Sequence, residues 1–367
     1  MSSSRLIYNH QFEKNAYSLI ELSSSELVEA FESGDEIVIK GLPEDEAVLC
    51  TNRKTYSVRQ VNTSNSMLIV TDDQLDITIH DDLSNTIELI PCLARTSRID
   101  DLLAESSYSG SRNDAHIKST KTLYTYQDLL SLVQASEGEL IDALRMRGAF
   151  EHEGYYRLFD REFLFRLFDS LVTNAILHQS DFKHMSLGEA KSCIRDEIGA
   201  VDEEEIVPDH VLLASIRMFA QHDVSQDEQI LEFDEAKICR FLGEWLLANP
   251  RNKRWEMNEF LEVWKKLTQE VFVPKIEYIQ GLYVMHTSTK LHQVENFVQY
   301  FPVHELSTDP AQRFAALFAE KPLWSLEEIT PFLTDLAPQK KDKEHLLLKF
   351  ARPHRNQTTT LYGSRIK

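Results

Sequence analysis

Three neighbouring segments between residues 45 and 70 place the strongest constraint on how this chain folds. Residues 47–50 and 67–70 are continuous apolar runs, whereas residues 54–61 alternate apolar and polar side chains. Turns rich in Thr, Asn and Ser separate the three segments, a pattern that is typical of strands joined as a β-meander. The two apolar runs leave no polar face for water, so we predict that other elements, of this chain or of a partner, cover a face of this sheet.

The surrounding sequence extends the strand pattern to most of the first 96 residues. Strands at about ten-residue spacing indicate a small β-barrel or sheet, and we predict them at residues 36–40, 47–50, 54–61, 67–70, 75–80 and 86–90. Either helices of the same chain pack on this sheet, or strands of a partner complete it at an open edge. The residues alone leave both alternatives open.

After residue 97 the pattern changes to helices and recurs four times, each time as helix, short strand, helix, helix and hairpin. This order is typical of a winged helix. We therefore predict an α+β protein with a β-domain at 1–96 followed by tandem winged-helix domains at 97–160, 161–233 (a degenerate copy), 234–303 and 304–367. The residues predicted to cap the helix after each short strand are Thr125, Ser186, Asn258 and Ser325.

Signatures of enzymes are missing from the sequence. No glycine-rich phosphate loop, dinucleotide-binding motif or nucleophile elbow occurs, so we predict a chain that is not an enzyme and binds no cofactor or metal. His178, Asp181 and His184 resemble half of a metal site but have no second ligand cluster. The four cysteines are far apart in apolar contexts, which indicates buried thiols, and we expect neither secretion nor a membrane span.

The distribution of charge separates possible nucleic-acid surfaces from the rest of the chain. A net charge of −20 repels nucleic acid, so binding to DNA requires a local basic patch. The predicted DNA-binding residues at the C-terminal end are Lys340, Lys341, Lys343, Lys349, Arg352, Arg355, Arg365 and Lys367. A weaker patch contains Arg254, Lys265 and Lys266. A winged helix presents such residues to phosphates, although a solvated basic tail explains the same composition. Neither patch has an obvious base-reading set, so we expect binding without sequence preference.

Arginines and tyrosines also alternate around the hairpin of the first predicted winged helix. The residues concerned are Arg145, Arg147, Tyr155, Tyr156 and Arg157. Exposed aromatic side chains beside arginine are typical of a protein interface. Burial of the same residues within the hairpin core is the alternative.

Several segments of the sequence resemble those of a known family. The runs Asp45-Glu46-Ala47-Val48-Leu49-Cys50, Lys54-Thr55-Tyr56 and Thr63-Ser64-Asn65 resemble the Dcc-type family of sister chromatid cohesion proteins. The anchors Gly154-Tyr155-Tyr156-Arg157 and Leu361-Tyr362-Gly363-Ser364-Arg365 are also similar to that family. Members are small subunits of an alternative, chromosome-transmission-fidelity replication factor C clamp loader.

The resemblance implies a set of partners. The amino-terminal strands would fold together with a second small subunit and the C-terminal tail of the large subunit. The expected contacts are Ile37, Ile39, Val48, Leu49, Tyr56, Val58, Met67, Leu68 and Ile69. The first winged helix would contact the catalytic subunit of DNA polymerase epsilon, and other modules would bind single- and double-stranded DNA.

We therefore expect a nuclear protein, associated with chromatin at replication forks, that acts on the sliding clamp indirectly and supports clamp loading or unloading and sister chromatid cohesion. The rival interpretation is a winged-helix scaffold subunit of a cullin-like or proteasome-lid-like assembly that does not bind DNA.

Overall fold

The computed structural model describes residues 5–14, 16–72, 76–182, 184–201, 205–290, 293–355 and 360–365. The chain forms two compact units: Met1–Ser106 with Lys121–Leu158, and Ser107–Thr120 with Phe159–Lys367. Both units contain helices and sheets, so the α+β class is confirmed. Among the described strands, no sheet closes into a barrel.

The first unit begins with an open sheet. Its elements are β1 (Arg5–Tyr8), β2 (Leu19–Glu21), α1 (Ser25–Ser33), β3 (Val38–Lys40), β4 (Val48–Cys50), β5 (Thr55–Asp72) and β6 (Asp76–Pro91). The strand order is β1-β6-β5-β4-β3, and β2 also pairs with β6. Strands β3 to β6 form an antiparallel meander, whereas β1 and β2 run parallel to β6. The predicted meander is therefore present.

The number of strands was predicted wrongly. Four short strands were expected between residues 54 and 90, but β5 and β6 are two long ones, of 18 and 16 residues. The expected turn at residues 62–66 is an irregularity within β5, between Asn62, which pairs with Asn85, and Met67, which pairs with Leu83. Extra residues in one strand of an antiparallel pair are accommodated as a bulge without ending the ladder. Residue 75, the predicted start of a strand, lies outside the described residues.

The base of the sheet is covered on both faces by the chain itself. Leu49 and Tyr56 are directly opposed across β4 and β5, and both pack with Leu27 of α1 and Leu89 of β6. Thr55 precedes Tyr56 in the strand and so faces the other side. On that side Ser136 donates its backbone N–H to Thr55 Oγ1 at 3.0 Å.

The helical part of the first unit continues from this contact. It contains α2 (Arg98–Ala104), α4 (Tyr126–Leu132), α5 (Glu137–Met146), β7 (Phe150–His152) and β8 (Tyr155–Arg157); α3 (Ser111–Thr120) belongs to the second unit. Tyr124 forms a bridge with Tyr156, and β7 pairs with β8. The first short strand thus pairs with the last strand of its module.

The second unit contains three further modules. The first of these has α6 (Arg161–Leu177), α7 (Leu187–Val201) and α8 (Asp209–Phe219), with bridges joining Ser186 to Ile230 and Ala220 to Phe233. The next has α9 (Glu235–Ala248), β9 (Arg254–Glu256), α10 (Met257–Leu267), a 3-10 helix (Ile276–Ile279), β10 (Tyr283–Lys290) and β11 (Gln293–Tyr300). The last has α11 (Pro310–Glu320), β12 (Leu323–Ser325), α12 (Leu326–Ile329), a 3-10 helix (Thr330–Phe332), α13 (Lys340–Phe350), β13 (Ala351–Arg355) and β14 (Thr360–Ser364), and another 3-10 helix (Val303–Glu305) precedes it.

The last two modules share one sheet topology. Their strand orders are β10-β11-β9 and β12-β14-β13, so in each the short first strand pairs with the last strand, which also pairs with the middle one. Their cores are built around buried tryptophans, Trp264 in one and Trp324 in the other. Gly243 of α9 lies where a Cβ atom would approach Trp264 to 2.9 Å, so only glycine allows this close packing.

Three of the four predicted helix caps are confirmed. Thr125 and Ser325 form capping boxes with Asp128 and Glu328, and Ser186 Oγ accepts the backbone N–H of Glu189 at 3.2 Å. Asn258 was predicted wrongly. Because β9 ends at Glu256 and α10 begins at the next residue, Glu256 is the cap and its carboxylate accepts the N–H of Glu259 at 2.9 Å.

Candidate assembly surface and nucleic-acid interface

Exposed apolar side chains concentrate at the amino-terminal end of the chain. More than half of the large apolar residues that are exposed in the described structure lie between residues 5 and 93, including Leu6, Ile7, Tyr8, Tyr17, Leu19, Phe31, Val38, Ile39, Leu42, Met67, Leu68, Val70, Ile90 and Leu93. A contiguous group of such residues is the usual mark of an interaction surface. The base of the same sheet is buried, so the exposed residues mark the part of the sheet that the rest of the described chain does not cover.

The clearest uncovered part is the far end of the β5–β6 hairpin, residues 67–72 with 76–83, which we call the distal hairpin. Met67, Leu68 and Val70 are 45%, 39% and 46% exposed. Met67 and Leu68 are consecutive strand residues, so their side chains point to opposite faces. Both faces of the distal hairpin therefore present apolar groups to solvent.

The amino-terminal segment covers only the β6 side of this hairpin. Ile79 and Leu83 are buried, and Asp81, also buried, accepts the backbone N–H of Tyr17 at 2.9 Å. Asn9 donates its backbone N–H to the carbonyl of Ile79 at 2.9 Å. These contacts fix the segment along β6, whereas Met67, Leu68 and Val70 of β5 stay exposed.

The nine residues expected to contact a partner have different environments. Val48, Leu49 and Tyr56 are buried in the base of the sheet, whereas Ile37, Val58 and Ile69 are half-buried. Ile39 is 65% exposed on β3, the strand at one end of the sheet. Sequence reasoning missed β1, whose Leu6, Ile7 and Tyr8 are exposed; their consecutive apolar side chains were the available signal.

The C-terminal module carries an exposed set of basic side chains. We call this set the C-terminal basic surface; it consists of Lys340, Lys341, Lys343, Lys349, Arg352 and Arg355, all exposed except Lys343, which is half-buried. None of the six makes an ion pair with a carboxylate in the part of the chain that the structure describes. Lys340 and Lys341 occupy the first turn of α13, where the helix dipole adds positive potential.

Other predicted DNA-binding residues have specific partners. The Arg365 guanidinium donates to the carbonyls of Leu348 and Lys349, at 2.8 and 3.0 Å, and so stabilises the end of α13. In the weaker patch Arg254 donates to Gln299 at 2.8 Å, and Lys265 lies 3.7 Å from Glu270. Lys266 is exposed, and Lys367 lies outside the described residues.

The residues predicted to contact a polymerase are divided between core and surface. Arg157 is fully buried and donates from Nε to the carbonyl of Ser106. Arg147 forms a two-pronged pair with Asp100 at 2.8 and 2.9 Å.

The tyrosines of this hairpin and the neighbouring arginine lie nearer the surface. Burial raises the pKa of the half-buried Tyr156. Arg145 and Tyr155 are exposed, next to an exposed Met146 that sequence reasoning did not include.

The remaining candidate chemistry has a structural explanation. Burial raises the pKa values of the thiols of Cys50, Cys92, Cys193 and Cys239, the last to about 12, which keeps them protonated. His184 Nδ1 lies 2.6 Å from Asp181, and His178 is the C-cap residue of α6. None of the described helices has the length and hydropathy needed to span a bilayer.

Fold and surfaces together define a mixed α+β protein in which an open apolar sheet precedes repeated helix-and-strand modules. The sequence model of the family Sister chromatid cohesion protein Dcc1 matches residues 17–333. The chain is 28% identical to sister chromatid cohesion protein DCC1 of Mus musculus, over 95% of this chain and 87% of the relative. For the DCC1 proteins of Xenopus tropicalis and Saccharomyces cerevisiae the identities are 29% and 24%, covering 98% and 95% of this chain and 92% and 97% of the relatives.

The chain therefore belongs to the Dcc1 family of sister chromatid cohesion proteins, which confirms the resemblance found in the sequence. The relatives are named as cohesion proteins and not as enzymes.

Proposed function

We propose that the chain acts in sister chromatid cohesion as a non-catalytic subunit of an alternative replication factor C clamp loader. The observation that carries the proposal is the distal hairpin, which exposes apolar side chains on both faces while the base of the same sheet is covered. Exposure of apolar side chains to water is unfavourable in free energy, and strands of another chain packed on this surface would remove the exposure.

The partner strands would come from a second small subunit and from the C-terminal tail of the large subunit. We assign direct contacts to Ile37, Ile39, Val58, Met67, Leu68 and Ile69, together with the exposed residues of β1. Val48, Leu49 and Tyr56 would support this surface from within the core, because their side chains have no exposed area to offer.

The four modules are proposed to be winged helices, with the domain limits predicted from the sequence. Their shared order of elements, and the pairing of each short strand with the last strand, support this assignment. In the first of them, Arg145, Met146 and Tyr155 are the exposed residues available to the catalytic subunit of DNA polymerase epsilon.

The C-terminal basic surface would bind single- and double-stranded DNA through phosphates. Lysine and arginine side chains that neutralise phosphates displace the counterions condensed on DNA, so affinity would fall steeply with salt. Contacts to phosphates alone would not depend on sequence. Contact with the sliding clamp would be indirect. We place the protein in the nucleus, on chromatin at replication forks.

Co-purification with the partner chains tests the assembly role. We expect Leu68→Asp to abolish stoichiometric recovery of the second small subunit and of the large-subunit tail. Leu177→Asp is the matched control, since Leu177 is also exposed, on α6 of the second unit. Unchanged recovery with Leu68→Asp would reject the distal hairpin as the assembly surface.

Fluorescence anisotropy with labelled single-stranded and duplex DNA tests the DNA role. The double variant Lys340→Glu, Lys341→Glu should weaken binding by about tenfold or more and flatten its dependence on salt. The double variant Lys121→Glu, Lys275→Glu makes the same charge change elsewhere and should have little effect. Equal affinities for both variants would reject the C-terminal basic surface as the DNA site. Absence of salt-dependent binding by the unaltered chain would favour the rival scaffold subunit of a cullin-like or proteasome-lid-like assembly.

A further inference from the structure

Three phenylalanines from separate segments of the second unit converge around an open cavity. Phe182 follows α6, Phe233 precedes α9 and Phe272 follows α10. The ring centroids of Phe182 lie 5.9 Å from those of both Phe233 and Phe272, and the last two are 6.5 Å apart. The rings meet edge to face, which fixes their relative orientation and preforms the walls of the cavity.

The volume and lining of the cavity suit a binding pocket. It measures about 530 Å³, within the range of about 300 to 1,000 Å³ that is typical of ligand sites. Leu231, which is fully buried, and Val271 add to its apolar lining. We call this feature the aromatic groove.

The rim of the aromatic groove is acidic. Asp181, Glu232 and Glu235 contribute carboxylates, and none of the described lining residues is Lys or Arg. Glu235 accepts hydrogen bonds from Val273 N–H and the Tyr278 hydroxyl, both at 3.1 Å, and Lys275 Nζ lies 3.8 Å from it, so its carboxylate is held in place and partly neutralised.

The other two rim carboxylates face imidazoles. Glu232 lies 3.4 Å from His222, and Asp181 lies 2.6 Å from His184. Both histidines are exposed. An apolar pocket with this rim is complementary to an apolar group that carries positive charge beside it.

We propose that the aromatic groove binds a short peptide segment of a partner protein in which a large apolar side chain is flanked by lysine or arginine. The apolar side chain would pack in the cavity against the phenylalanine rings, and the flanking cations would meet the rim carboxylates. Nucleic acid does not fit, because the rim would repel phosphates. The inference does not depend on the proposed clamp-loader role.

Fluorescence polarisation with the full chain and three labelled peptides tests the proposal. The first peptide is Gly-Ser-Lys-Leu-Phe-Lys-Ser-Gly. In the second, Glu replaces both Lys residues; in the third, Ser replaces Leu and Phe. We expect the first to bind about tenfold or more tightly than either of the others. The third peptide keeps its charge, so it measures non-specific attraction to an acidic protein.

Variants of the chain assign the binding to the groove. Phe182→Ser removes one wall and Glu232→Lys reverses one rim charge, and each should weaken binding of the first peptide about tenfold. Glu228→Lys is the matched control, since Glu228 is exposed on the same segment but does not line the groove, and it should bind as the unaltered chain does.

Three results would overturn the proposal: similar affinity for all three peptides, no binding of the first peptide, or unchanged affinity in both groove variants. If the chain dimerises and Phe182→Ser abolishes the dimer, the groove binds a second copy of the chain. That result would also reject a partner peptide. Glu232→Lys keeps the test valid if Phe182→Ser fails to fold.

Discussion

Thr55 donates a hydrogen bond from Oγ1 to Oε2 of Glu139 across 2.6 Å, and these two residues are 84 positions apart in the chain. Thr55 is the first residue of β5, and Glu139 belongs to the capping box at the start of α5. The contact joins the sheet to the first helical module through polar atoms that are already fixed by secondary structure. It holds the base of the sheet against the start of α5.

Thr55→Val should lower the free energy of unfolding by about 1 to 2 kcal/mol. Valine has nearly the same shape but leaves the backbone N–H of Ser136 and the carboxylate of Glu139 with one hydrogen bond fewer. Urea denaturation measures the change. Thr287→Val, the same substitution at an exposed position of β10, should alter stability by about 0.5 kcal/mol or less; an equal loss in both variants would contradict the account.

Leu49→Asp should destabilise the first unit by about 3 kcal/mol or more, because it removes a buried side chain and places a carboxylate in the core. Leu68→Asp should cost about 1 kcal/mol or less, since Leu68 is already partly in water. Chemical denaturation of the isolated chain distinguishes the two. Similar losses would mean that the distal hairpin is part of the core.

Gly243→Ala should destabilise the second unit by about 1 to 3 kcal/mol, because the added Cβ would lie 2.7 Å from Ile279 and 2.9 Å from Trp264. Gly199→Ala is the matched control within another helix, where nothing lies within 4 Å of the new atom. This control should stabilise the chain by about 0.5 to 1 kcal/mol. Thermal unfolding of both variants checks the opposite signs.

The ion pair of Asp209 and Lys191 should make stability depend on acid pH. The hydrogen bond from Lys191, 2.9 Å long, holds the pKa of Asp209 below its ordinary value of 3.8. A carboxyl whose pKa is lower in the folded state stabilises the fold above 3.8 and loses this effect as the pH falls below that value.

Unfolding free energies measured between about pH 5 and pH 3 test this dependence. The unaltered chain should lose more stability over that interval than Asp209→Asn does. Glu228→Gln, at an exposed carboxylate, should behave as the unaltered chain. An Asp209→Asn variant with an undiminished slope would show that the pair does not contribute.

Local signals in the sequence predicted what depends on neighbouring residues. Ser325 followed by Glu328 predicts a capping box, because both hydrogen bonds form within one helical turn. Asn258 failed as a cap, since β9 ends at Glu256 and α10 begins at the next residue, which places Glu256 at the N-cap position despite the better capping propensity of Asn.

Long-range pairing and burial were outside the reach of local patterns. The joining of four predicted strands into β5 and β6 depends on a continuous ladder across the irregularity at Asn62. The burial of Arg157 could not be predicted from local sequence either. Its charge suggested a surface position, but its guanidinium is buried against the carbonyl of Ser106. Only the folded chain shows which polar partners are available to such a group.

Hydrogen exchange of residues 67–72 and 76–83, measured with and without the second small subunit and the large-subunit tail, tests the central claim most directly. We expect the amides of residues 67–72, on the edge of β5 that β4 does not cover, to exchange faster in the isolated chain than in the complex, while those of β4 are protected in both. Equal exchange of the distal hairpin with and without the partners would contradict it.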